Sequence, residues 1–138
     1  MQARCSARLK KEAEDIQKNY AGVLDLHIKD DSMMVWHIKF TGAEGTVYAG
    51  ETYTLQFKFN SEYPIDSPEV IFVGTPPEHE HIYSNGFICL SILYSDWSPA
   101  LKASSVCMSI ISMMSSATKK QKPPNDSSSG LRHYSSPK

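Results

Sequence analysis

The run His79-Glu80-His81-Ile82-Tyr83-Ser84-Asn85-Gly86-Phe87-Ile88-Cys89-Leu90-Ser91-Ile92-Leu93 governs how the rest of the chain is read. A cysteine sits in it, ten residues after one histidine and eight after another, and Asp96-Trp97-Ser98-Pro99-Ala100-Leu101 follows closely. Asn85-Gly86 forms turns readily, because glycine accepts φ > 0 and asparagine tolerates it. The turn delivers Phe87-Ile88-Cys89-Leu90, which is too short to be a helix of its own. Cys89 is therefore expected on loop or short extended backbone, the kind of position from which a rigid scaffold usually presents reacting groups.

Around that run the sequence is more regular. Residues 74–102 show no period, yet they carry Ile82, Phe87, Ile88, Leu90, Ile92, Leu93 and Trp97, so the stretch is expected to pack. Before it come four strands. Leu24, Leu26 and Ile28 alternate with polar residues, Met34, Trp36, Ile38 and Phe40 with Val35, His37, Lys39 and Thr41, and Tyr53, Leu55, Phe57 and Phe59 again with polar residues; residues 69–73 are a short apolar run. Period-two alternation predicts an antiparallel meander with one packed and one wet face. His27 and His37 fall on polar positions and read as surface residues. Cys5, Leu9, Ala13, Ile16 and Tyr20 recur at helical steps, predicting an amphipathic helix over 3–19, with Arg4, Arg8, Lys10, Lys11, Glu12, Glu14 and Asp15 facing outward. A second helix is expected over about 103–116, with Val106, Ile110, Met113 and Met114 buried and Cys107 as a small core residue. Lys102 precedes it where a capping side chain would serve better, and Ser104 is a candidate to shift the cap inward. Residues 1–118 read as one core domain. Residues 119–138 read as a tail, rich in proline and serine, with 124–138 expected to be irregular or mobile.

The chain has 138 residues and a formal net charge of -1, which gives no electrostatic case for nucleic acid or an anionic membrane as partner. No apolar run is long enough to span a bilayer. Three widely spaced cysteines do not make a disulfide framework, so a reducing compartment, cytoplasm or nucleus, is the expectation.

Taken together, the helix, the meander, the long loop with one cysteine and the second helix resemble the ubiquitin-conjugating enzymes (E2s). The most specific matches are Tyr63-Pro64 with Ser67-Pro68, then residues 85–90, then Ile92-Leu93, then residues 97–101. The likeness covers about residues 8–116 and implies an α+β fold of the UBC type. Within the family the chain is most similar to the W-type, which modifies protein N-termini; His81, Ser91, residues 109–113 and Pro123-Pro124 carry that likeness. The resemblance implies that Cys89 receives ubiquitin from an activating enzyme (E1) as a thioester, which an amine then attacks. A thiolate is the nucleophile for such chemistry. It implies no cofactor and no metal. It places RING or U-box ligase (E3) and E1 binding on Arg8, Lys11, Ile65, Trp97, Ser98, Pro99 and Ala100. It sets the donor ubiquitin against Ser105 and Ser109, and an acceptor cleft near Asn125 and Asp126.

The chain also departs from the family pattern. Most E2s carry His-Pro-Asn where this chain has His79-Glu80-His81. His79 inherits a structural role, and His81 stands where an asparagine supports the loop and the thioester oxyanion. An imidazole N–H can donate one such hydrogen bond, or His81 serves only to hold the loop. Glu80 replaces a proline, and its charge between two histidines predicts that their charged forms are favoured. No carboxylate after the second helix aligns with the aspartate that lysine-directed members use. Two other readings compete: an inactive E2-like module that binds ubiquitin, and a metal site from His79, His81 and Cys89, whose spacing matches no common zinc pattern.

Overall fold

The structure, a computed structural model, describes residues 3–126. Helix α1 spans Ala3–Asn19 and presents Cys5, Leu9, Ala13 and Ile16 to the core, all buried. Four strands follow, β1 Asp25–Ile28, β2 Val35–Thr41, β3 Thr52–Lys58 and β4 Glu69–Val73, in the order β1-β2-β3-β4 with every pair antiparallel. The register aligns Ile38 with Leu55 and Leu55 with Phe72, and Trp36 with Phe57 and Phe57 with Val70. Those six side chains are buried, so the alternation in the sequence becomes one apolar face. Helix α2, Ala103–Ser115, lies over that face: Val106, Ile110 and Met114 are buried, and Met114 and Ile111 border Phe40 and Tyr48. The elements, their order and their antiparallel pairing agree with the α+β expectation.

Four details differ from the sequence reading. Glu12 does not face outward; it is 4% exposed. Its carboxylate accepts from Arg8 Nε, from the Tyr63 hydroxyl at 2.8 and 2.9 Å, and from Ala103 N–H at 2.7 Å. That last bond answers the capping question: the first turn of α2 is capped by a carboxylate from α1, while Ser104 Oγ donates to Asp15 Oδ2 at 3.3 Å and shifts no cap. On the edge strand β1, Ile28 is exposed. His27 is exposed as expected, whereas His37 is half-buried, its Nε2 paired with Gln56 Oε1 at 3.1 Å.

Residues 119–126 contain neither helix nor strand. The expectation for 127–138 lies outside the described residues. Among the described residues no helix is long and apolar enough to cross a membrane.

Candidate active site

The stretch around Cys89 is built as a small hairpin. Cys89 N–H donates to His81 O at 2.8 Å, Tyr83 N–H to Phe87 O at 2.9 Å, and Gly86 N–H to Tyr83 O at 2.9 Å. Ile82 and Ile88 bridge between the arms and are both buried, so their neighbours His81 and Cys89 are turned outward and are exposed. Asn85 Oδ1 accepts from Phe87 N–H at 3.0 Å and tightens the tip. Gly86 has φ +94, and a Cβ there would stand 2.1 Å from Phe72 O, so both backbone angle and space demand glycine.

That hairpin is fastened to the fold along its side and at its base. Along the side, Phe72 N–H donates to Gly86 O at 2.9 Å, and Ile71 bridges Phe87, which lays the hairpin on β4. At the base, buried His79 links α2 to the loop. Its Nδ1 accepts from His81 N–H at 3.0 Å, so that nitrogen carries a lone pair; its Nε2 then carries the proton and faces Met113 O at 3.3 Å. A continuous series results, from Met113 O through His79 and the His81 peptide to Cys89 N–H. His79 therefore ties α2 to the loop. Burial pushes its pKa below the ordinary value, against a smaller upward pull from the Met113 carbonyl and a still smaller one from Glu80. The expected upward shift by Glu80 is thus reversed at His79, where desolvation of the charged ring outweighs an exposed carboxylate. Glu80 instead accepts from Gln121 Nε2 at 3.5 Å.

His81 divides its roles between backbone and side chain. Its peptide groups hold the loop, while no described residue hydrogen-bonds its ring, which lies 5.5 Å, centre to centre, from that of His79. Ser91 is exposed, and its carbonyl accepts from Tyr94 and Asp96 N–H at 3.0 Å each, starting the short 3-10 turn Ser91–Leu93. Tyr94, which sequence reasoning did not single out, sits beside the thiol: its hydroxyl donates to Ile88 O at 3.3 Å, and burial, then Cys89, hold its pKa above the ordinary value. Nothing in the sequence marked it. Among the described residues, no group of three or more His, Cys, Asp or Glu side chains is arranged to hold a metal ion. Cys5 and Cys107 are buried, and burial pushes both thiols up.

Several residues of the expected partner face are linked to one another. Arg8 Nη2 donates to Pro99 O and Leu101 O at 2.8 Å each, its Nε faces Glu12, and its guanidinium lies 5.6 Å from the Tyr63 ring centre. Trp97 Nε1 donates to Pro64 O at 2.8 Å. Arg8 and Trp97 thus shape the surface, Ser98 Oγ accepts from Ala100 N–H at 3.1 Å, and Lys11, Ile65, Pro99 and Ala100 are offered outward, Ile65 being 68% exposed. On α2, Ser105 Oγ accepts from Lys102 N–H at 3.2 Å, and Ser109 is half-buried beside exposed Met108. Asn125 is exposed. Asp126 does not stand free: Oδ1 accepts from Ser84 N–H at 3.0 Å and Oδ2 from the Ser84 hydroxyl, at the rim of a groove of about 380 Å³.

Comparison with known proteins agrees with this geometry. Residues 8–134 match the family model described as ubiquitin-conjugating enzyme. The chain is 54% identical over 127 residues to a probable ubiquitin-conjugating enzyme E2 W of Dictyostelium discoideum, covering 92% of this chain and 85% of that one. It is 50% identical to the probable ubiquitin-conjugating enzyme E2 W-A of Danio rerio, covering 87% and 82%. Its fold matches the crystal structure of ubiquitin conjugating enzyme E2 UbcA1 from Agrocybe aegerita with a TM-score of 0.82 and 40% identity, over 92% of each chain.

Proposed function

The chain belongs to the ubiquitin-conjugating enzyme family, a family of ubiquitin transferases that work with an E1 and E3 ligases, and from that premise we propose that Cys89 carries ubiquitin as a thioester and discharges it preferentially onto protein N-termini. The observation that carries the first half is exposure. Of three cysteines, Cys89 alone is open to solvent, and it stands on a hairpin braced from two sides. A thiol so placed can be charged, and the resulting thioester can be reached by an amine. The His81 imidazole, with no described partner, supplies an N–H for the oxyanion as the amine attacks.

The second half rests on the acceptor side. Residues 116–126 contain one carboxylate, Asp126, and both its oxygens are engaged by Ser84. Within residues 116–126 that leaves no unengaged carboxylate to take a proton from a lysine. An α-amino group titrates near ~7.7 and lysine near ~10.4, so at about pH 7.4 roughly a third of N-termini but about one lysine in a thousand are neutral. Without a lysine-activating carboxylate, the N-terminus is the competent nucleophile, in keeping with the W-type likeness. Partner binding through a RING or U-box ligase is assigned to the face made by Lys11, Ile65, Pro99 and Ala100, and donor ubiquitin to the side of α2 bearing Ser105 and Ser109.

Incubation with E1, ATP and ubiquitin is expected to give a thiol-sensitive adduct that Cys89→Ala abolishes. Discharge is then expected onto a peptide with a free N-terminus and blocked lysines, and not onto its N-acetylated, lysine-bearing counterpart. Equal transfer to both peptides refutes the N-terminal preference while leaving the thioester role intact.

A further inference from the structure

We propose that Asp126 is a positioning residue for Cys89, gripping from outside the loop the tip of the hairpin that presents the thiol. The inference rests on the reading of Cys89 as the ubiquitin-carrying residue. Its own ground is geometric. The hairpin of residues 81–89 has its base fixed through His79 and one side fixed on β4, but its tip, Ser84-Asn85, is exposed. A hairpin of this size has little stability of its own. Among the described residues, the Asp126 carboxylate meets that tip from outside, accepting from both the amide and the hydroxyl of Ser84 across 42 residues of chain.

The carboxylate is itself held firmly enough to serve. Asp126 N–H donates to Pro123 O at 3.2 Å, closing a turn whose Pro123 is buried. Upstream, Lys120 Nζ pairs with Glu51 and lies 5.8 Å from the Tyr48 ring centre, and Gln121 reaches Glu80. Residues 120–126 therefore form a strap that crosses from the end of the sheet, past the base of the hairpin, to its tip. A charge-assisted bond to a backbone amide is stronger than its neutral counterpart, and both Ser84 donors converge on one side chain. Displacement of the tip would be felt at the other end of the same ladder, where Cys89 N–H meets His81 O. Small misplacement of a reacting atom lowers rate far more than it lowers stability.

The test uses the full chain with Asp126→Ala, Asp126→Asn, Ser84→Ala and the Asp126→Ala/Ser84→Ala double variant. Each is charged with E1 and ubiquitin, and single-turnover discharge onto a free-N-terminus peptide is followed against pH. Discharge is expected to slow about tenfold in Asp126→Ala and about threefold in Ser84→Ala, which keeps its amide donor. The double variant is expected to be no slower than Asp126→Ala. Asp126→Asn, whose Oδ1 still accepts from Ser84 N–H, is expected to recover most of the rate, with an unchanged pH profile throughout. The proposal is overturned by wild-type discharge in Asp126→Ala, by strict additivity of the two substitutions, or by an Asn variant as slow as Ala with an altered profile, which would make the carboxylate a base acting on the acceptor. Amide exchange at Ser84 reads the grip without any activity: faster exchange in Asp126→Ala, restored in Asp126→Asn, supports it, and equal exchange in all variants overturns it. A wild-type chain that fails to charge would remove the reading of Cys89, and the exchange measurement would still decide on the grip.

Discussion

Helix α2 is fastened at both ends by a side chain from elsewhere, and the two fastenings are chemically unlike. At its start, Glu12 brings a buried carboxylate to Ala103 N–H, with Arg8 and Tyr63 completing its coordination. Toward its end, His79 brings a neutral imidazole to Met113 O and passes the link on to the thiol loop. The first joins α1, α2 and residues 97–101, the face assigned to partners, and uses charge to do so. The second stands behind the Cys89 loop and uses no charge at all. An ion at the second position would add its field to the site where the proposed discharge forms its oxyanion. At the first position, far along the helix, a charge-assisted network fixes the surface without that interference.

The contrast can be broken or sharpened by substitution. Glu12→Ala is expected to have the largest effect, about 3 kcal/mol of stability lost on denaturant unfolding, because a buried amide and a buried hydroxyl lose their acceptor. Intrinsic discharge of the charged, still folded fraction is expected to stay near wild type. His79→Ala is expected to cost about 2 kcal/mol, and here discharge falls with it, since the His81 peptide loses its hold. If Glu12→Ala slowed discharge as much as His79→Ala, the two ends would not be functionally separate. Arg8→Lys is expected to cost about 1 kcal/mol and to weaken ligase-stimulated transfer without altering basal transfer, because an ammonium cannot reach Glu12 and both carbonyls in the geometry of a guanidinium. The smallest effect is on pH dependence. His79 has its folded pKa below its unfolded value near 6.5, so the unfolded chain binds the proton more readily. Its contribution is complete above about pH 6.5 and is lost as pH falls from there toward the folded pKa. Unfolding free energy is expected to decline across that window, and His79→Gln is expected to flatten the decline.

Much of this architecture was legible in the residues, and the failures are instructive. The 3–19 helix and the meander followed from spacing alone, because burial of Leu9, Trp36 or Leu55 depends on which face the chain presents locally. Glu12 lies three residues after Leu9 and four before Ile16, on the apolar stripe, so its spacing outweighs its charge. The sequence held that signal, and only the distant donors that make burial tolerable were hidden. The turn at Asn85-Gly86 and the outward placement of Cys89 were readable. The His79–Met113 and Ser84–Asp126 links were not, because they join residues 34 and 42 positions apart, and no local pattern encodes such a pairing. The direction of the His79 shift failed for the same reason, since its neighbour Glu80 is visible in sequence and the burial around its ring is not.

Two of the three thiols are sealed in the interior and the third is not. An alkylating reagent therefore meets one sulfur on the native chain and three on the unfolded chain, so adduct mass counts folded molecules directly. Loading with ubiquitin would protect the native one, and the same label would then report occupancy and folding in a single spectrum.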